Sequence, residues 1–130
     1  MLLNSGRVRL HIGWIPHSKL PLLYRATDIF VRTSKHENFG LGVIEAMACG
    51  VPVVTPNATT FPEVIGYETL LYKPEDPSNL AEKVITILNN ADFYNSIKEH
   101  LLTRVREYFD IRKTAKKYVE LYLILKNAQG

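Results

Sequence analysis

The fold is decided by the stretch Ser34-Lys-His-Glu-Asn-Phe-Gly-Leu-Gly-Val-Ile-Glu-Ala-Met-Ala-Cys-Gly-Val-Pro-Val-Val54. This pattern predicts a loop, then a helix that begins near Gly40, then a buried strand at residues 51–54. Gly50 suits the left-handed position that follows the last turn of many helices. The apolar run after it is typical of a strand that is covered on both faces, as in a parallel sheet.

The rest of the chain repeats this alternation of short apolar segments with helical patterns. Further strands are predicted at residues 7–12, 29–31 and 69–72. A helix is predicted after Ser18 as N-cap, with Pro21 in its first turn. Another follows Asp76 as N-cap, and helices from about residue 92 onward close the chain. We therefore expect an α/β fold, a Rossmann-like parallel sheet with flanking helices.

Composition narrows the class of protein. The 130 residues suit one domain, and 46% apolar with 22% charged residues is ordinary for a globular protein. Cys49 is the single cysteine, so a disulfide framework is excluded and a reducing, cytoplasmic location is expected. The basic residues after residue 104 form a face that either is simply solvated or meets an anionic membrane surface. Aromatic residues do not alternate with them, which argues against nucleic acid.

Two carboxylates and two glycines around the start of the central helix indicate a ligand site. A helix N-terminus suits phosphate, and Gly40 and Gly42 leave the backbone accessible there. Glu45 lies about one turn further on, roughly 6–8 Å along the helix, where it could accept from ribose hydroxyls. Glu37 lies in the loop on the other side. The alternative from spacing alone is a loop carboxylate and a surface residue. Against it, each glycine in a helix costs up to ~1 kcal/mol.

The same residues resemble the signature of family 4 glycosyltransferases, which are retaining enzymes of the GT-B fold with nucleotide-sugar donors. The resemblance rests on Glu37 and Glu45 separated by seven residues, with Phe39-Gly-Leu41 between them. The signature also includes Pro52-Val-Val54, and supporting matches such as Ile12-Gly-Trp-Ile15 extend over most of the chain. The loop after Thr55 departs from the family, since it lacks the usual pair of glycines.

The resemblance implies a role for each residue of the site. Glu37 is the implied catalytic residue, because it would contact the donor sugar near the reacting carbon. Glu45 would bind the ribose hydroxyls. The remaining implied donor-binding residues are Gly13, Ile15, Ser34, Phe39, Gly40 and Leu41. No metal ion and no cofactor are expected, since the nucleotide-diphosphate sugar is a substrate.

The resemblance covers only the latter part of the second domain of such an enzyme, residues 1–130. By this resemblance, we expect the acceptor-binding N-terminal domain to lie outside these residues, together with an Arg and a Lys that hold the diphosphate in the family. In a doubly wound sheet, absent strands should also separate the strand at residues 7–12 from that at residues 29–31. We hypothesise a truncated gene, a late start or a split enzyme completed by a partner chain.

The sequence thus favours transfer of a hexosyl group from a nucleotide sugar to a glycan, lipid or other acceptor. This chain would supply the donor-binding half. Two alternatives stay open: a non-catalytic nucleotide-sugar-binding fragment, and an epimerase-like fragment that acts on sugar nucleotides.

Overall fold

A computed structural model of the chain describes residues 13–128. The strand predicted at residues 7–12 lies outside the described residues. Three short strands lie within them: Phe30–Val31 (β1), Val53–Pro56 (β2) and Leu71–Tyr72 (β3). The helices are Leu20–Arg25 (α1), Leu41–Ala48 (α2), Phe61–Ile65 (α3), Pro77–Leu88 (α4), Ala91–Tyr108 (α5) and Ile111–Asn127 (α6).

The described strands form a parallel sheet in the order β1-β2-β3. Phe30 pairs with Val53, and Thr55 pairs with Leu71, so β2 lies at the centre. All four residues of β2 are buried, as expected for a strand covered on both faces. The predicted α/β class, with a parallel sheet and flanking helices, is confirmed.

The core lies between the sheet and the helices α2 and α5. Met47 of α2, Phe61 of α3, and Ile97 and Leu101 of α5 are completely buried. Helix α2 packs mainly on α5 and also contacts α1 and β2. The site at the start of α2 is therefore attached to the best-packed part of the molecule.

Helix ends follow the capping residues of the sequence in most places. Gly40 is the N-cap of α2 in the left-handed conformation (φ 76°), and Gly50 follows the helix with φ 73°. The carboxylate of Asp76 accepts a hydrogen bond from the N–H of Asn79 at 2.9 Å, which caps α4 as predicted. The N–H of Arg112 likewise donates to Asp110 at 3.0 Å, at the start of α6.

The buried strand predicted at residues 51–54 lies two residues further on, at Val53–Pro56. Two other local predictions were wrong. Ser18 does not cap α1, because it lies inside a 3-10 turn at His17–Lys19 that is closed by the bond from Lys19 N–H to the Pro16 carbonyl. The predicted strand at residues 69–72 is only Leu71–Tyr72, because a second 3-10 turn occupies Glu68–Leu70. In both places local i→i+3 hydrogen bonds replaced the predicted arrangement.

Candidate functional site

The loop after β1 carries Glu37 to the carboxyl edge of the sheet, immediately before α2. Its carboxylate Oε2 accepts a hydrogen bond from the Arg32 guanidinium at 3.0 Å. The Glu37 side chain is 22% exposed and that of Arg32 46% exposed, so the pair lies at the surface with its acidic member the more covered. This geometry fixes the direction of the Glu37 carboxylate and places a cation beside it.

The start of α2 leaves backbone donors accessible. The N–H of Val43 donates to the Gly40 carbonyl at 2.9 Å, which closes the first turn. The N–H groups of Leu41 and Gly42 precede that bond and have no partner within the helix. They lie at the positive end of the helix dipole, where an anion is favoured.

Gly40 is needed for the backbone itself as well as for access. Its φ of 76° lies in the left-handed region, and a Cβ there would be 3.2 Å from Cε1 of the buried Phe61. A Cβ at Gly42 would meet only the Tyr24 hydroxyl, at 3.5 Å. A side chain is therefore tolerated less well at Gly40, where both the backbone conformation and the contact with Phe61 oppose it, than at Gly42.

Glu45 lies one turn further along α2 and is held on both oxygens. Its Oε2 accepts from the Tyr24 hydroxyl at 3.0 Å, and its Oε1 is 3.0 Å from Nε2 of His17. Burial, followed by the hydrogen bond to Glu45, raises the pKa of Tyr24 to about 12. The phenol is therefore a neutral donor at every ordinary pH. A small cavity of about 160 Å³ opens beside these three residues and is also lined by Cys49.

The remaining predicted site residues lie in different surroundings. Ser34 is half-buried and lines a larger cavity, of about 440 Å³, at the carboxyl edge of the sheet. Lys35 and Glu75, which also line this cavity, form an ion pair. Phe39 is 53% exposed and lines a third cavity of about 420 Å³. Its ring packs edge-on against Phe109, with centroids 6.0 Å apart.

Three of the predicted donor-binding residues contribute mainly backbone or exposed surface. Leu41 is 60% exposed, directly after Gly40. Gly13 is exposed and has φ 147°, a conformation that favours glycine, while Ile15 is half-buried. Of the predicted residues, Ser34, Glu45 and Phe39 each line a different cavity.

Sequence reasoning missed Arg32, His17 and Tyr24. Because their partners lie on another element or across a loop, helical or strand periodicity carries no signal for them. Only Arg32 offered a signal, as a donor side chain five residues before Glu37, whereas His17 and Tyr24 lie 28 and 21 residues before Glu45.

The loop after β2, which departs from the resembled family, has an unusual backbone. Thr59 has φ 51°, a left-handed conformation that is an outlier for a β-branched residue. The N–H of Asn57 donates to the Tyr72 carbonyl at 2.7 Å and ties this loop to the end of β3. The turn is therefore made without glycine, at a cost in strain of about 1–3 kcal/mol.

Residues 13–128 contain no cluster of three or more His, Cys, Asp or Glu that could hold a metal ion. None of the helices in that range combines the length and the apolar character needed to cross a bilayer.

The chain is similar in sequence and in fold to known proteins. The family model of glycosyl transferases group 1 matches residues 3–101. The chain belongs to this family. Over 87 residues it is 41% identical to O-antigen chain mannosyltransferase B of Escherichia coli, a match that covers 67% of the chain and 23% of the relative.

Solved glycosyltransferase structures are similar over most of the chain. Sucrose-phosphate synthase from Thermosynechococcus elongatus matches with a TM-score of 0.84 and 32% identity, over 95% of this chain and 31% of that one. The Anabaena protein HepE, solved in complex with UDP, matches with a TM-score of 0.76 and 26% identity, over 82% and 30%. The fold is therefore that of part of a GT-B glycosyltransferase, and the chain spans about a third or less of these relatives' length.

Proposed function

We propose that this group 1 chain is the donor-binding half of a retaining, family 4-type glycosyltransferase. It takes a nucleotide-diphosphate sugar as substrate, requires no resident cofactor, and serves the transfer of a hexosyl group to a glycan or lipid acceptor. A separate N-terminal domain or partner chain supplies the acceptor site. The basic helix α6 is suited to contact with an anionic membrane surface.

The observation that carries the proposal is the arrangement along α2. Unpaired N–H groups lie at its start, and the Glu45 carboxylate lies about one turn further in, held by two donors. A diphosphate at the first position leaves a ribose near the second, because one helical turn is about 5.4 Å long. The similarity to HepE, whose structure contains UDP, supports a nucleotide as the ligand.

Glu37 and Arg32 complete the proposed chemistry on the other side of the phosphate. In a retaining transfer the protein stabilises the departing diphosphate and an oxocarbenium-like sugar centre. The Glu37 carboxylate favours positive charge on the sugar, and the Arg32 guanidinium, 3.0 Å from it, favours negative charge on the leaving group. The pair therefore complements both charges that develop in the reaction.

A second candidate is a nucleotide-sugar-binding chain without catalysis. It needs only the start of α2 and the Glu45 carboxylate with its two hydrogen-bond partners, His17 and Tyr24. Binding of a nucleotide sugar without transfer, even when the complementary half of a group 1 relative is added, would support this candidate.

Calorimetric titration of the whole chain with UDP and with GDP tests the proposal. We expect binding of at least one of them. Glu45→Ala should weaken it by about 1–3 kcal/mol, because ribose hydroxyls are then left unpaired. Glu99→Ala, a change of an exposed glutamate on α5, is the matched control and should have no effect. Absence of binding at millimolar nucleotide, or equal affinity of the Glu45→Ala variant, would contradict the proposal.

A further inference from the structure

Tyr24 connects the core of the protein to the candidate ribose-binding carboxylate. Its side chain is 9% exposed, and its ring packs edge-on against Phe30, with centroids 5.7 Å apart and planes at 70°. Its hydroxyl reaches out of the core to Oε2 of Glu45, which lies 21 residues away on another helix. The packed ring fixes the hydroxyl, and the hydroxyl fixes the carboxylate.

The two donors on Glu45 differ in how firmly they are held. The His17 side chain is 83% exposed, whereas Tyr24 is buried. An exposed pair of this kind is screened by water and contributes little. The hydrogen bond from a packed phenol loses no further conformational freedom, so it persists when a ligand arrives. The exposed His17 ring contacts the other carboxylate oxygen, Oε1.

A glutamate needs such support to bind a diol. Its side chain has several rotatable bonds, and ordering a free glutamate costs conformational entropy. An ionised carboxylate has about four acceptor positions, so a single bond from Tyr24 leaves enough of them for two ribose hydroxyls. Gly42 leaves the Tyr24 hydroxyl uncovered, because a Cβ at that position would lie 3.5 Å from it.

We infer that Tyr24 is a positioning residue for donor binding, because it holds the Glu45 carboxylate in the orientation that accepts both ribose hydroxyls. His17 contacts the other oxygen, Oε1, until a nucleotide displaces it. The inference rests on the proposed function, because it takes Glu45 as the ribose-binding residue. It assigns Tyr24 a contribution to ribose recognition that does not require contact with the ligand.

The test uses Tyr24→Phe, which keeps the packed ring and removes only the hydroxyl. The matched control is Tyr94→Phe, since the Tyr94 hydroxyl donates to the Asp28 carbonyl at 2.9 Å, and neither residue contacts Glu45. Affinities of the whole chain for UDP, 2′-deoxy-UDP and inorganic pyrophosphate are measured by calorimetry, with GDP and 2′-deoxy-GDP in place of the uridine pair if GDP binds more tightly.

We expect Tyr24→Phe to weaken binding of the ribonucleotide about tenfold and to leave pyrophosphate binding unchanged. The preference for the ribonucleotide over its 2′-deoxy analogue should shrink, while Tyr94→Phe leaves all three affinities unchanged. In a Glu45→Ala background, Tyr24→Phe should have no further effect, because the group that it positions is gone. A merely structural role would weaken pyrophosphate and ribonucleotide together.

The outcomes separate this inference from the proposed function. If Glu45→Ala weakens ribonucleotide binding and Tyr24→Phe does not, the positioning role is wrong and the proposed function stands. The same conclusion follows if Tyr24→Phe weakens pyrophosphate as strongly as the ribonucleotide. If Glu45→Ala leaves ribonucleotide binding intact, the ribose assignment is wrong and the inference fails with it.

Discussion

Helices α2 and α6 are both amphipathic, yet the protein uses them in opposite ways. Four of the eight residues of α2 are buried: Val43, Ile44, Ala46 and Met47. None of the 17 residues of α6 is buried by the described part of the chain. Apolar side chains of α6 such as Leu121 and Ile111 remain 48% to 75% exposed.

Helix α2 depends on tertiary packing, whereas α6 depends on the helix propensity and capping of its own residues. Eight residues, one of them glycine, are too few to form a stable helix in water, so α2 exists because α1, α5 and the sheet surround it. Helix α6 has strong helix formers, a capping aspartate and an i,i+4 pair between Lys116 and Glu120. The candidate site is built on the helix that tertiary packing holds in place.

The largest effect is expected from Met47→Ala. Met47 is fully buried between the sheet and α5, so its truncation leaves a cavity at the base of the candidate site. We expect the free energy of unfolding to fall by about 2–5 kcal/mol, measured by urea denaturation. Nucleotide affinity should fall as well, because α2 is no longer held firmly. A loss below about 1 kcal/mol would contradict the view that packing maintains α2.

The sequence predicted where α2 begins and ends, but it did not predict which residues its side chains contact. Its start at Gly40, its end before Gly50 and the presence of a buried strand after it could be predicted, because glycine conformation and an apolar run are local signals. The bounds of that strand were two residues too early, since it runs from Val53 to Pro56. The predicted capping of α4 by Asp76 is local in the same sense. These features account for the correct fold class.

The partners of the two site glutamates could not be predicted. Tyr24 reaches Glu45 from a different helix, and Arg32 reaches Glu37 across a loop, so both contacts depend on the tertiary arrangement. The role of Gly40 was also only partly predicted, since its neighbour Phe61 lies 21 residues further along the chain. Sequence periodicity describes single elements, whereas a site is made between elements.

An effect of intermediate size, on the first turn of α6, is expected when its N-cap Asp110 is replaced. Hydrogen bonds from the Arg112 side chain and N–H lower the pKa of Asp110 to about 2, below its ordinary value of 3.8. A lowered pKa means that the cap stabilises the helix fully above pH 3.8 and is lost as the pH falls through 2. We expect Asp110→Ala to unwind the first turn of α6 at neutral pH, seen in the Cα chemical shifts of Arg112 and Lys113.

Asp110→Asn is the matched control, because asparagine is also a good N-cap but does not titrate. Its shifts at Arg112 and Lys113 should be close to those of the wild-type chain at neutral pH and should change less on acidification. Equal acid-induced fraying in the Asn variant and the wild-type chain would show that other carboxylates cause the change.

The smallest effect is expected from Leu123→Ala, which removes a side chain from α6 by a truncation comparable to Met47→Ala. Leu123 is 56% exposed, so little buried contact is lost, and alanine is the better helix former. The free energy of unfolding should change by less than about 0.5 kcal/mol. If the free energy of unfolding instead falls by more than 1 kcal/mol, and this loss grows with protein concentration, α6 packs against a second copy of the chain. The contrast between α2 and α6 would then hold only for the isolated molecule.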